Sequence, residues 1–222
     1  DGATIVLLKD ITLAESIEIS KNLTFTISDK SVTIARAESF KGTAKSSLIN
    51  VTGGTLSFVG TAGKEIVIDG KASTQTECIR AIKVASGATL HMEYASIQNF
   101  YTKDGYGESG SAIWNEGNAT FEYVDFTNNK TGTQTAGGAI RNNGSAVMEL
   151  TNCTITGSED KGNGGALYAA NGTSTTLTNC VFSQNNAVGE GGAIYFNGTS
   201  SFVVNNCTFT NNTVANCNFK VK

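Results

Sequence analysis

The sequence predicts an all-β fold, a single-stranded right-handed parallel β-helix of about 7–8 coils. Three observations predict it. The quartet Gly-Gly-Ala followed by Ile or Leu occurs at Gly137–Ile140, Gly164–Leu167 and Gly191–Ile194, with a degenerate copy at Gly110–Ile113, always 27 residues apart. Asn-Cys recurs at Asn152-Cys153, Asn179-Cys180 and Asn206-Cys207 with the same spacing. Ile155, Phe182 and Phe209 form a third column with that period. Columns that share one period point to coils stacked about 4.8 Å apart, like residue over like.

Within a coil the apolar residues alternate in short runs, the signature of strands rather than helices. In Phe202–Phe209 the inward set is Phe202, Val204, Cys207 and Phe209, and the alternation breaks once, at Asn205-Asn206, which reads as a turn. Met148, Leu150, Cys153 and Ile155 repeat the scheme two coils earlier. Three short strands and three turns account for each coil.

The chain reads as one domain over residues 1–222 with three zones: irregular coils over 1–48, coils with insertions over 49–109, and regular repeats over 110–222. Ile82 and Ile97 align with Ile194 and Phe209. The step from Ile82 to Ile113 is longer than the repeat, with Thr102–Gly107 the natural insertion, and Ile49–Leu56 aligns with Ile82–Leu90 after one deletion. Ile17–Ile19 and Leu23–Ile27 continue the strand pattern toward the N-terminus. A further Ala-Ile step falls near residue 220, where the sequence reads Asn218–Lys222, so the chain is expected to be part of a longer exported protein.

Composition narrows the partners. With 39% hydrophobic and 16% charged residues the chain is too apolar for disorder, and its net charge of −3 offers no basic stripe for nucleic acid. No apolar run approaches the roughly 18–20 residues of a membrane-spanning helix, so this segment is not expected to insert. The absence of Pro suits a backbone whose N–H groups nearly all donate to a ladder.

Cys153, Cys180 and Cys207 fall in one inward column and read as small buried hydrophobes; Cys78 and Cys217 have no assigned place. His91, between Leu90 and Met92, should face solvent. Asp104, Glu108, Glu159, Asp160 and Glu190 read as solvated turn residues, and no calcium-loop spacing appears. No metal or cofactor is expected. A glycosidase needs two carboxylates roughly 5–10 Å apart. Asp125 and Glu149 do not share a column, Asp69 lies in an Ile-Asp-Gly turn, and the sequence shows no convincing pair. Thr154, Thr156, Ser183, Thr208 and Thr210 form a short outward array, with Thr simply a good outward strand residue.

The candidate site is an outward column. If Ile113, Ile140, Leu167 and Ile194 point inward, Trp114, Arg141, Tyr168 and Tyr195 point out, with Lys83 one coil earlier. Such a row is expected to be exposed and to stack on sugar rings or anchor a protein, or else to stabilise neighbouring strands.

The Gly-Gly-Ala motifs, with Phe126–Asn129, Phe182–Asn185 and Phe209–Asn212, make residues 110–212 resemble the GGA(I/L/V) and FxxN repeats of chlamydial polymorphic outer-membrane proteins and related bacterial adhesins; Ile155–Ser158 departs from the second motif. Physically, tandem Gly permits a sharp turn, and the Asn residues can form amide ladders between coils. The resemblance implies a non-enzymatic, secreted or cell-surface module, binding a host protein or glycan or serving as a rigid stalk. The other reading is a carbohydrate-active β-helix enzyme.

Overall fold

The computed structural model describes residues 2–42, 46–71, 79–102, 110–132, 136–198 and 200–215. Cys78, Cys217, Asp104, Glu108, the stretch 218–222 and most of the expected insertion at 102–107 lie outside them. Every strand-to-strand pairing is parallel and joins one coil to the next. The protein is thus a parallel β-solenoid, with no helix among the described residues.

One coil shows the plan. Ile113–Asn115 lies on the first face. Asn118–Thr127 then bends at Tyr123, so that residues before the bend form the second face and those after it the third. Lys130-Thr131 adds a two-residue strand on a fourth face, one more than the three strands per coil expected. Among the described residues the second face carries eight stacked strands and the first carries seven, in line with the expected coil number.

The predicted columns are the observed registers. Ile82, Ile113, Ile140, Leu167 and Ile194 stack on the first face. Ile97, Phe126, Ile155, Phe182 and Phe209 stack on the third. Leu56 lies over Leu90, and Ile49 over Ile82, as the one-residue deletion required. Burying these apolar columns is the main stabilising term, at roughly 25 cal/mol per Å² of apolar surface. Phe202, Val204, Cys207 and Phe209 keep the inward register, but Val204 and Phe209 are exposed because no described coil covers them.

The break in alternation is a single residue. Tyr94, Tyr123, Asn152, Asn179 and Asn206 occupy successive levels of one bend with φ of 46°, 52°, 54°, 54° and 51°. One left-handed residue turns the strand, so the inward set resumes out of phase, from Met92 to Ala95 and from Leu150 to Cys153. Asn tolerates this region; an aromatic residue is strained there. The tandem glycines have two different jobs. Gly137 adopts φ 84°, and a Cβ on Gly138 would lie 2.1 Å from the carbonyl oxygen of Gly165 in the next coil.

Two buried ladders tie the coils together. Asn115 and Asn142, both fully buried, are joined by an amide hydrogen bond of 2.8 Å, and Asn142 donates onward to Thr175 Oγ1 at 3.0 Å. The FxxN asparagines form the second. Asn129 donates to Ile97 O, Asn185 to Ile155 O and Asn212 to Phe182 O, each reaching one coil back. Each also accepts from a backbone N–H of that coil: Phe100, Ser158 and Asn185 respectively. Ser158 occupies the intervening level, is 1% exposed, and its hydroxyl has no hydrogen-bond partner. A serine is too short to span the gap to Phe126 O, so the ladder lacks one rung. Restoring it with Ser158→Asn should stabilise the protein by about 1 kcal/mol, the net value of a buried hydrogen bond. Asn185→Ala should destabilise it by about 1–3 kcal/mol, because buried backbone groups lose their partner. Thermal or urea unfolding checks both signs.

Candidate functional site

The first face brings the predicted site residues into one column. Lys83, Trp114, Arg141, Tyr168 and Tyr195 are register partners in consecutive coils. Their inward neighbours Ile113, Ile140 and Leu167 are fully buried, so the strand period directs the row outward.

The row packs against itself. The Arg141 guanidinium carbon lies 5.0 Å from the ring centroid of Trp114 and 5.0 Å from that of Tyr168. On the other side of Trp114, Arg80 approaches to 5.0 Å and Lys83 Nζ to 5.8 Å. Tyr168 and Tyr195 stack at 5.4 Å with an interplanar angle of 17°. Planar guanidinium groups stack well on aromatic faces, with roughly 0.5–2 kcal/mol for each cation–π contact depending on desolvation. The expectation of an exposed row is therefore corrected at Trp114, which is only 5% exposed because cationic side chains cover it. Arg141, Tyr168 and Tyr195 are half-buried. The ring faces between these residues are spent on one another, leaving ring edges and the tyrosine hydroxyls, with Asn197 Nδ2 donating to Tyr168 Oη at 3.3 Å.

Arg80 was not foreseen. It is fully buried and donates through Nε to Gly110 O at 3.0 Å. Arg36 is likewise buried and donates to the carbonyls of Gly70, Ala37 and Phe40. Hydrogen bonds to carbonyls are what make a buried guanidinium tolerable.

The other candidates resolve individually. Cys153 and Cys180 are buried and Cys207 half-buried, all as free thiols. The hydrogen bond to Cys180, and then burial, push the Cys153 thiol up, which keeps it a neutral core group. His91 faces outward, half-buried, with Nδ1 2.8 Å from Thr120 Oγ1. Glu159 pairs with Lys161 and Lys130, and the Lys161 hydrogen bond holds its carboxyl below the usual range. Asp160 departs from the solvated-turn expectation: it is fully buried and accepts the backbone N–H of Gly162. Asp69, 9% exposed, closes its turn by accepting from Lys71 N, Gln98 Nε2 and Asn99 Nδ2.

A carboxylate neighbourhood escaped sequence reasoning. Glu65 has its carboxyl pushed up, first by desolvation and then by the charge of Asp125, against a lowering hydrogen bond from Ser96. Asp125 is two coils on: Val67 pairs with Ser96 and Ser96 with Asp125. Unequal coil lengths hid this register. Among the described residues no group of three or more His, Cys, Asp or Glu is arranged to hold a metal.

Stacked parallel coils around one apolar interior define a β-solenoid. Residues 40–219 match the family model described as the right handed beta helix region, and the chain belongs to that family. No curated protein matches the sequence. Two solved structures are similar in path. One is a candidate glycosyl hydrolase from Parabacteroides merdae, 12% identical, with 94% of this chain and 81% of that one covered and a TM-score of 0.48. The other is the enzymatically active domain of tailspike protein 4 of bacteriophage CBA120, 12% identical, with 93% and 35% covered and a TM-score of 0.31. At that similarity no residue role passes from either to this chain.

Trp114 is the only tryptophan, so its fluorescence reports on the ladder directly. Emission should be blue-shifted and resist iodide quenching. Arg141→Ala should raise the quenching without unfolding the chain, by uncovering one ring face. Free quenching in the unmodified protein would contradict the sandwich.

Proposed function

We propose that this chain is a non-enzymatic module of a secreted or cell-surface protein. It serves as a rigid stalk that displays an adhesive surface toward a host protein or glycan. The observation that carries this reading is continuity. Amide ladders, aromatic stacks and the cation–π row each link coil to coil, which suits a stiff rod. The resemblance of the Gly-Gly-Ala and FxxN repeats to bacterial surface adhesins supports the same reading. Within the row, Tyr168 and Tyr195 are the aromatic members left half-open for a ligand, whereas Trp114 is committed to the ladder.

The second reading is a carbohydrate-active enzyme, favoured by one observation. Glu65, whose carboxyl is pushed up by desolvation and then by Asp125, has a second carboxylate in its neighbourhood, and two neighbouring carboxylates are what glycoside hydrolysis uses.

Two measurements separate the readings. A glycan array and a host-surface pull-down compare the native chain with Tyr168→Ser/Tyr195→Ser. Binding should fall by about tenfold or more in the variant while unfolding is nearly unchanged, since neither ring fills the core. Equal binding would remove the site, and no binding by either would leave the stalk. Release of reducing ends from a polysaccharide panel, abolished by Glu65→Gln, would establish the enzyme instead.

A further inference from the structure

The bend between the second and third faces carries another aromatic ladder, in the opposite electrostatic setting. Tyr94 and Tyr123 stack with ring centroids 4.7 Å apart and an interplanar angle of 0°. Tyr123 is 43% exposed. In the next three coils the same bend is made by Asn152, Asn179 and Asn206. The turn therefore does not require an aromatic residue, and a strained, solvent-facing tyrosine pair is a costly way to make it.

Carboxylates surround the pair. Glu93 and Glu122 precede the two tyrosines and are register partners. Asp125 follows Tyr123 by two residues, and Glu65 lies in its field from two coils away. Among the described residues none of the four forms a salt bridge, although Lys64 adjoins Glu65. The Tyr94 phenol is held above its ordinary value by desolvation first, then by Tyr123, Glu93 and Glu122.

The first face shows what such a ladder pairs with. There the chain places its own Arg141 between Trp114 and Tyr168. At the bend the aromatic and anionic half is present, and among the described residues no cation lies over either ring, although Lys64 stands beside the same bend at Gly60. We propose that the Tyr94–Tyr123 ridge, with Glu65, Glu93, Glu122 and Asp125, is a docking surface for an arginine-bearing basic segment of a protein partner. Guanidinium suits both components, because it stacks on a phenol ring and offers paired donors to a carboxylate. A neutral sugar ring suits them less well, since it carries no charge to pair with the carboxylates. This site is separate from Tyr168 and Tyr195 and does not depend on the role proposed for them.

The test is fluorescence anisotropy with a labelled oligoarginine peptide on the intact chain, with oligolysine and a chitosan oligosaccharide in parallel. Oligoarginine should bind most tightly, with an affinity that falls as salt rises. Tyr94→Asn/Tyr123→Asn should keep the fold, as the later coils place Asn at the same bend, and should lose about tenfold in affinity. Glu93→Gln/Glu122→Gln should lose a similar factor and flatten the salt dependence. Tyr168→Ser/Tyr195→Ser should bind oligoarginine as the native chain does, which keeps this test distinct from that of the row. Absence of oligoarginine binding overturns the proposal. So does undiminished binding by the Asn variant, which would mean diffuse charge attraction, or tighter binding of chitosan, which would assign the ridge to an amino sugar. If the Asn variant fails to fold, the Gln variant decides, and unchanged affinity there overturns the proposal.

Discussion

Everything in this molecule depends on the stacking of like upon like at the spacing of a parallel sheet, about 4.8 Å. That spacing suits apolar side chains, which merge into a continuous core. It constrains polar ones severely, because a buried polar residue repeats and must find its partner in the coil above or below. The Asn115–Asn142 and Asn185–Asn212 bonds are the solution for amides, which donate and accept at once. Guanidinium groups cannot accept, so Arg141 alternates with aromatic rings instead of following another arginine. The column rule thus decides which residue types repeat and which interleave.

That rule explains what was legible in the sequence. The first-face isoleucines, the third-face Ile/Phe column and the Cys column were readable because side chains of one kind recur at one spacing. The turn at Asn205-Asn206 was readable because alternation slips there, but not that Asn206 alone makes the bend. The candidate row was placed in the right column and direction by its inward neighbours. Its exposure was misjudged at Trp114, because Arg80 belongs to the start of a neighbouring strand and no repeat marks it. Position along a strand can be read from periodicity; coverage by a long flexible side chain from another level cannot.

The carboxylate neighbourhood of Glu65 and Asp125 was illegible for a related reason. The regular period holds only where coils are equal in length, and between residues 49 and 113 they are not. Alignment by motif then loses the register by a few residues, which is enough to separate acids that the fold places in one field. Buried Asp160 shows the converse. Its Gly-rich surroundings read as a solvated turn, whereas the chain folds the carboxylate inward onto the N–H of Gly162. Composition describes a turn's flexibility but not which of its polar groups face the interior.

The equal 27-residue steps from Ile113 through Ile140 and Leu167 to Ile194 have a genetic consequence. Removing or duplicating one whole unit leaves each inward Ile or Leu of the first face above another, with strand direction, bend and glycine turn in phase. Gain or loss of a whole unit could therefore shorten or lengthen the rod without breaking the inward column. An odd insertion within a strand would flip side chains between core and solvent, whereas the longer steps from Ile49 to Ile82 and from Ile82 to Ile113 keep the column in register. The regular zone can change length in whole interchangeable units, which the unequal coils before it do not offer.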